Sequence, residues 1–200
     1  MKRALILGCS HAAGSKISND PMTDAENSFA SQLAKQQGYK PTNLAIPGGS
    51  NEAMVRLFIQ HAKNYNAVIA VWTGSERTEV WDDDHGWLQM SGGEVVGHSK
   101  YKDYARHWVI NEVGSTPGNA RKLRCVLSLN MLAQAWNIPV LNCEAFQPVP
   151  FEWPKSITWL ADKNFCAWSQ QQGYQATECG HFGLDAHTNY ARTFGDSPSW

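Results

Sequence analysis

The segment ECGHFGLDAHTNYA, residues 178–191, places Glu178 three positions before His181. A carboxylate at that spacing can orient an imidazole, and an oriented imidazole is a general base. Such a base needs a proton to take. The opposite end of the chain offers one in GCSHAAG, residues 8–14, where Ser10 stands between small residues. A free serine hydroxyl is barely ionised at neutral pH and becomes a nucleophile only beside a base. Brought together, Ser10, His181 and Glu178 would carry out acyl transfer through a covalent intermediate. Taken singly, each has an ordinary reading as a turn serine, a helix-cap histidine or a surface acid. The combination is what points to chemistry.

A fold that joins residues so far apart must have a particular layout. ALILG (4–8) is a short apolar run closed by glycine, as in a central parallel strand. ENSFASQLAKQQGY carries Phe29, Leu33 and Ala34 at helical spacing and ends at Gly38. NLAI (43–46) reads as a second strand, followed by the turn PGGSN and a helix over EAMVRLFIQHAKNY. AVIAVW (67–72) is a third strand, residues 119–136 a long helix, and IPVLNC (138–143) a fourth strand. Alternating strands and helices predict an α/β fold, a three-layer α/β/α sandwich with a parallel sheet. Ligands gather at the carboxyl ends of such strands. Ser10, the PGGSN turn, TGSERTE (73–79) and the late histidine segment all fall there. Residues 75–118 are too polar, aromatic and long for a plain connection, and are expected to form an insertion over one sheet edge. Residues 144–177, rich in Pro and Trp, are expected to be irregular, with a short helix near 163–172.

The bulk properties narrow the function. Two hundred residues suffice for one domain spanning 1–200. A net charge of −1 without long like-charge runs gives no footprint for nucleic acid or a membrane surface. Five irregularly spaced cysteines without CxxC fit a reducing interior better than a disulfide framework. The apolar run in MKRALILGC is too short for a signal peptide, which gives a cytoplasmic expectation. GCSHAAG is not a phosphate-binding loop, since neither GxxxxGK[ST] nor GxGxxG occurs, and no cofactor is expected. DDDH (82–85) with His98 could hold a divalent cation, but a solvated acidic loop is the preferred reading and no metal is assigned. Cys9 and Cys179 each precede a candidate site residue and are taken as packing residues. Among nine tryptophans, Trp72, Trp81, Trp87, Trp108 and Trp200 lie in polar surroundings. Packing explains most of them; a flat platform for a sugar is the functional reading.

In block order the chain resembles the SGNH (GDSL-like) hydrolases. GCSHAAG is similar to the family's nucleophile block, NLAIPGGSN to its second block and ECGHFGLDAHTNYA to its last. The resemblance implies Ser10 as nucleophile, His181 as base and Glu178 in place of the family's aspartate. It also implies an oxyanion hole of the Ser10 and Gly48 N–H groups, with His187 as a structural histidine. The third block departs: where the family has an asparagine donor, TGSERTE has Glu76, whose ionised carboxylate would repel a developing oxyanion. Thr73, Ser75 or Arg77 would then have to substitute, with Glu76 turned aside. Gly49, Asn51, Thr73, Ser75, Glu76 and Arg77 are the expected neighbours of substrate or oxyanion. The implied activity is serine ester hydrolysis of an acyl or acetyl group, with the tryptophans favouring a carbohydrate ester. The alternative is an inert SGNH-fold binding or structural module, such as a virion component, since GCSH, GGSN and WTGSER also look like divergent tailed-phage members. Partners beyond substrate would then be a second copy or a virion protein.

Overall fold

The computed structural model describes residues 1–15, 17, 24–91, 94–95, 101, 103–104, 106–108, 116–146, 151–160, 164–178 and 180–195. Strand β1 (Arg3–Gly8) lies inside a four-stranded parallel sheet of order β2-β1-β3-β7, with β2 (Lys40–Asn43), β3 (Ala67–Trp72) and β7 (Val140–Glu144). The continuous apolar runs of β1 and β3 follow from burial on both faces. Side chains alternate: Ala4, Ile6, Ile69 and Val71 enter one core, Leu5, Leu7, Val68, Ala70 and Trp72 the other.

Helices cover both faces. α1 (Ser10–Ala13) is a single turn; α2 (Phe29–Gln36), α5 (Phe165–Gln171) and α6 (Leu184–Phe194) bring Phe29, Phe165, Trp168 and Tyr190 to the first core. α3 (Asn51–His61) and α4 (Thr116–Ala135) bring Met54, Phe58, Val126 and Leu129 to the second. Burying one such side chain fully contributes about 1.5–3 kcal/mol. Serine N-caps start α2 and α3, with Ser28 accepting from the Ser31 N–H and Ser50 from the Ala53 N–H.

The second strand differs from its expected place. It pairs over KPTN, upstream of NLAI, with Arg3 opposite Lys40 and Ile6 opposite Asn43. Leu44 and Ile46 still donate to the Ile6 and Gly8 carbonyls, so the apolar run extends the ladder as it bends toward the turn.

Within 75–118, β4 (Thr78–Asp82), β5 (Gly86–Ser91) and β6 (Glu94–Val95) form a separate antiparallel sheet. It is tied to α3: Glu79 receives both the Arg56 guanidinium and the Gln89 amide, while Gln89 Oε1 accepts the Ser50 N–H. Trp81 and Trp87 are cross-strand partners and stay 57% and 44% exposed. Trp72, by contrast, is a core residue whose indole donates to Asn142. Among the described residues no helix is long and apolar enough to cross a membrane.

Candidate active site

Ser10 opens α1 at the tip of β1 and is nearly buried. Gly8 makes this sharp entry feasible: a Cβ there would lie 2.7 Å from Ala12 Cβ and 2.9 Å from Val71 Cβ. The late segment reaches the same place. Thr177 and His181 close a turn, with the Thr177 N–H donating to the His181 carbonyl and the His181 N–H to Thr177 Oγ1. The His181 ring then stands 5.1 Å, centroid to centroid, from the ring of His11, the residue beside Ser10. Segments from the two ends of the chain thus meet beside α1.

Glu178 occupies the same turn but is exposed, and its carboxylate makes no hydrogen bond or ion pair among the described residues. Cys179 and His98 lie outside the described residues, as does Trp200.

The second block forms a tight turn. Gly48 has φ 74°, and the Gly49 N–H donates to the Ile46 carbonyl at 2.7 Å. A Cβ on Gly49 would sit 2.7 Å from that carbonyl oxygen, so the chain passes there only as glycine. The Gly49 and Ser50 N–H groups are thus engaged. Those of Ser10 and Gly48 take no hydrogen bond among the described residues. Asn51 is buried and spends its amide on the tip of β3: Oδ1 accepts the Thr73 N–H, and Nδ2 donates to the Thr73 and Gly74 carbonyls. It holds the third block to α3.

In that third block, Thr73 is fully buried and its hydroxyl has no partner. Ser75 gives its carbonyl to Arg121. The Glu76 carboxylate folds back over its own turn, so close to Gly74 that a Cβ there would overlap it. Arg77 follows, its guanidinium carbon 5.3 Å from the centre of the Phe146 ring. Arg77 Nε lies 3.5 Å from Glu76 Oε1, too far for a good hydrogen bond, and neither Nε nor Nη1 has a hydrogen-bond partner.

His11 joins these pieces and was not singled out by sequence. Its ring packs against Phe146 at 5.1 Å and Phe165 at 5.4 Å, and Nε2 is 3.3 Å from Cys166 Sγ. Burial first, then the charges of His181, His187 and Arg77, hold it well below the usual imidazole range. His11 is therefore neutral at physiological pH. Cys166 also stays protonated, pushed up to about 12 chiefly by burial. His187 sits in the core; its Nδ1 accepts the Phe29 N–H, tying α6 to the start of α2. Burial lowers its pKa to about 3, the His181 charge adding to the shift.

The acidic turn of the hairpin has its own explanation. Asp82, Asp84 and His85 cluster, but Asp82 Oδ1 already accepts the Asp84 and His85 N–H groups and Oδ2 the Tyr101 hydroxyl. Asp82 organises the turn.

No family model matches the sequence, and no curated protein matches it. Solved structures do match by shape. An acetyl xylan esterase, Est2A, from Butyrivibrio proteoclasticus aligns over 98% of this chain with a TM-score of 0.53 and 10% identity. The chain spans only 63% of that esterase's length. The psychrotrophic esterase EstA from Pseudoalteromonas sp., inhibited there by monoethylphosphonate, aligns over 98% of this chain and 96% of its own at TM-score 0.53 and 13% identity. A parallel sheet between helical layers is the shared architecture: the chain has the SGNH-hydrolase fold.

Proposed function

We propose that the protein is a serine ester hydrolase acting on an acyl or acetyl group carried by a carbohydrate. One observation supports the reading: the tip of β1 and the Thr177–His181 turn meet, and the N–H groups of Ser10 and Gly48 donate no hydrogen bond among the described residues. In this reading Ser10 Oγ attacks the ester carbonyl while His181 takes its proton. The tetrahedral oxyanion is held by the two N–H groups, where one donor contributes about a hundred- to a thousandfold in rate. His181 then protonates the departing alcohol, and a water activated by the same ring releases the acyl group. Glu178 biases the ring's orientation from solvent. In this reading Glu76, whose carboxylate folds onto Gly74, is turned aside from the hole.

The carbohydrate part of the reading is supported by the exposed Trp81 and Trp87 and by the xylan substrate of the Butyrivibrio protein. A second reading, an inert binding module with a second copy or a virion protein as partner, is favoured by the exposure of Glu178. Steady-state hydrolysis of 4-nitrophenyl acetate and of acetylated xylan separates them. The hydrolase reading expects turnover of both that Ser10→Ala and His181→Ala each abolish. Turnover unchanged in Ser10→Ala, or none in the wild type, would sink it.

A further inference from the structure

A cationic side chain near His11, the neighbour of Ser10, has two of its nitrogens without a hydrogen bond among the described residues. Arg77 directly precedes β4, rests over Phe146, and keeps only 14% of its side-chain surface exposed. Nε and Nη1 are shut off from solvent and have no hydrogen-bond partner among the described residues. The nearby carboxylate, Glu76, is 31% exposed and 3.5 Å from Nε, an ion pair without a proper hydrogen bond. A desolvated guanidinium with unmade bonds is costly, and the cost is recovered when an anion supplies the acceptors. Phe146 is the wall shared by Arg77 and His11, so the charge lies one aromatic ring away from the residue next to Ser10. Its field reaches His11 and Cys166, both on the same side of the sheet.

We infer that Arg77 recognises an anionic substituent on the substrate, a carboxylate or sulfate close to the ester being cleaved. This rests on the hydrolase reading above and names the substrate class for that site: an acylated acidic sugar. A planar guanidinium suits either oxyanion by paired, charge-assisted hydrogen bonds. Charged hydrogen bonds of this kind correspond to about a ten- to hundredfold preference. Glu76 acts as an internal competitor, loosely occupying the cation until the substrate's anion replaces it.

The test uses three mono-O-acetylated methyl glycosides of one pyranose: the glucuronoside, the glucoside 6-sulfate and the neutral glucoside. The wild type is expected to favour an anionic member over the neutral one by about tenfold or more in kcat/KM, and the better of the two identifies the anion. Arg77→Met should bring that ratio close to one, Arg77→Lys should keep part of it, and Glu76→Gln should raise it. Absence of preference in the wild type, or a preference untouched by Arg77→Met, would overturn the inference. Calorimetric binding to Ser10→Ala, with and without Arg77→Met, removes catalysis from the question. Arg77-dependent binding of an anionic glycoside without any wild-type hydrolysis would uphold recognition and defeat the hydrolase reading. Equal hydrolysis of charged and neutral glycosides would do the reverse.

Discussion

On the face of the sheet covered by α3 and α4, a buried network of side chains is paired around Asn142 and Lys122, although Glu144 Oε1 and Trp159 Nε1 have no hydrogen-bond partner among the described residues. Asn142 takes the Trp72 indole N–H at 2.8 Å, exchanges amide hydrogen bonds with Asn130, and donates to the Thr158 carbonyl. Lys122 lies 2.7 Å from Glu144, with side-chain exposures of 1% and 8%. On the face covered by α2, α5 and α6, and at the strand tips beside it, His11 Nδ1 and two nitrogens of Arg77 are buried with no hydrogen-bond partner. Buried polar networks that are satisfied fix a structure, whereas buried groups left waiting are costly and gather where a ligand will complete them. The two faces differ in how completely the groups next to the central strands are paired, and the less completed one adjoins the candidate site.

The largest effect expected from breaking this comparison is at the buried ion pair. Lys122→Met should destabilise the protein by about 3–5 kcal/mol at pH 8, because it strands the Glu144 carboxylate. Adding Glu144→Leu should restore most of that loss; urea unfolding measures both. A loss under about 1 kcal/mol would mean that the pair is solvated and the contrast between the faces is false. Next in size, Asn142→Leu should cost about 2–3 kcal/mol by orphaning the Trp72 and Asn130 donors. His11→Phe, which removes the unpaired Nδ1 and only a weak contact from Nε2 to Cys166 Sγ while keeping a ring, should cost less than about 1 kcal/mol. Equal penalties would erase the distinction.

Acid and base should also act on the two faces in opposite senses. His187 has its folded pKa pushed down to about 3 by burial, so its contribution is present above the ordinary imidazole pKa and is lost as pH falls from there. Glu144 has its pKa raised to about 7 by burial, with Lys122 opposing the shift, so its contribution weakens as pH rises from 4.5 to 7. Each proton taken up or released changes stability by about 1.4 kcal/mol per pH unit. Between pH 5 and 6, Glu144→Gln should therefore steepen the rise of stability with pH and His187→Asn should flatten it. Urea midpoints across that interval would show both slopes. The smallest effect concerns Glu178. Because its carboxylate is exposed, Glu178→Gln should lower kcat by about tenfold, well short of the loss that a buried orienting acid produces. A loss above about a thousandfold would place this acid against His181 during turnover.

Much of this layout was readable in the sequence because burial imposes a pattern. β1 and β3 are continuous apolar runs since both faces are covered, and AVIAVW and ALILG allow little else. β2 was misplaced by a few residues for the converse reason. It is an edge strand, KPTN, half exposed, and its pairing comes from backbone hydrogen bonds that leave no mark on hydropathy. Ser10 and His181 were legible from local spacing, whereas His11 was not. Its partners Phe146, Phe165 and Cys166 come from distant segments, and nothing in GCSHAAG distinguishes a buried histidine from a surface one. The unmade hydrogen bonds of Arg77 Nε and Nη1 were equally hidden. They depend on Glu76 folding back over Gly74, a turn geometry that TGSERTE does not spell out.

The central claim is that Ser10 is an activated nucleophile. The direct test is labelling of the native protein by a fluorophosphonate at neutral pH, with the modified peptide mapped by mass spectrometry. A single stoichiometric adduct on Ser10, lost in His181→Ala and competed by an acetylated substrate, is the predicted result. No adduct on Ser10, or labelling that persists unchanged in Ser10→Ala, would contradict the account.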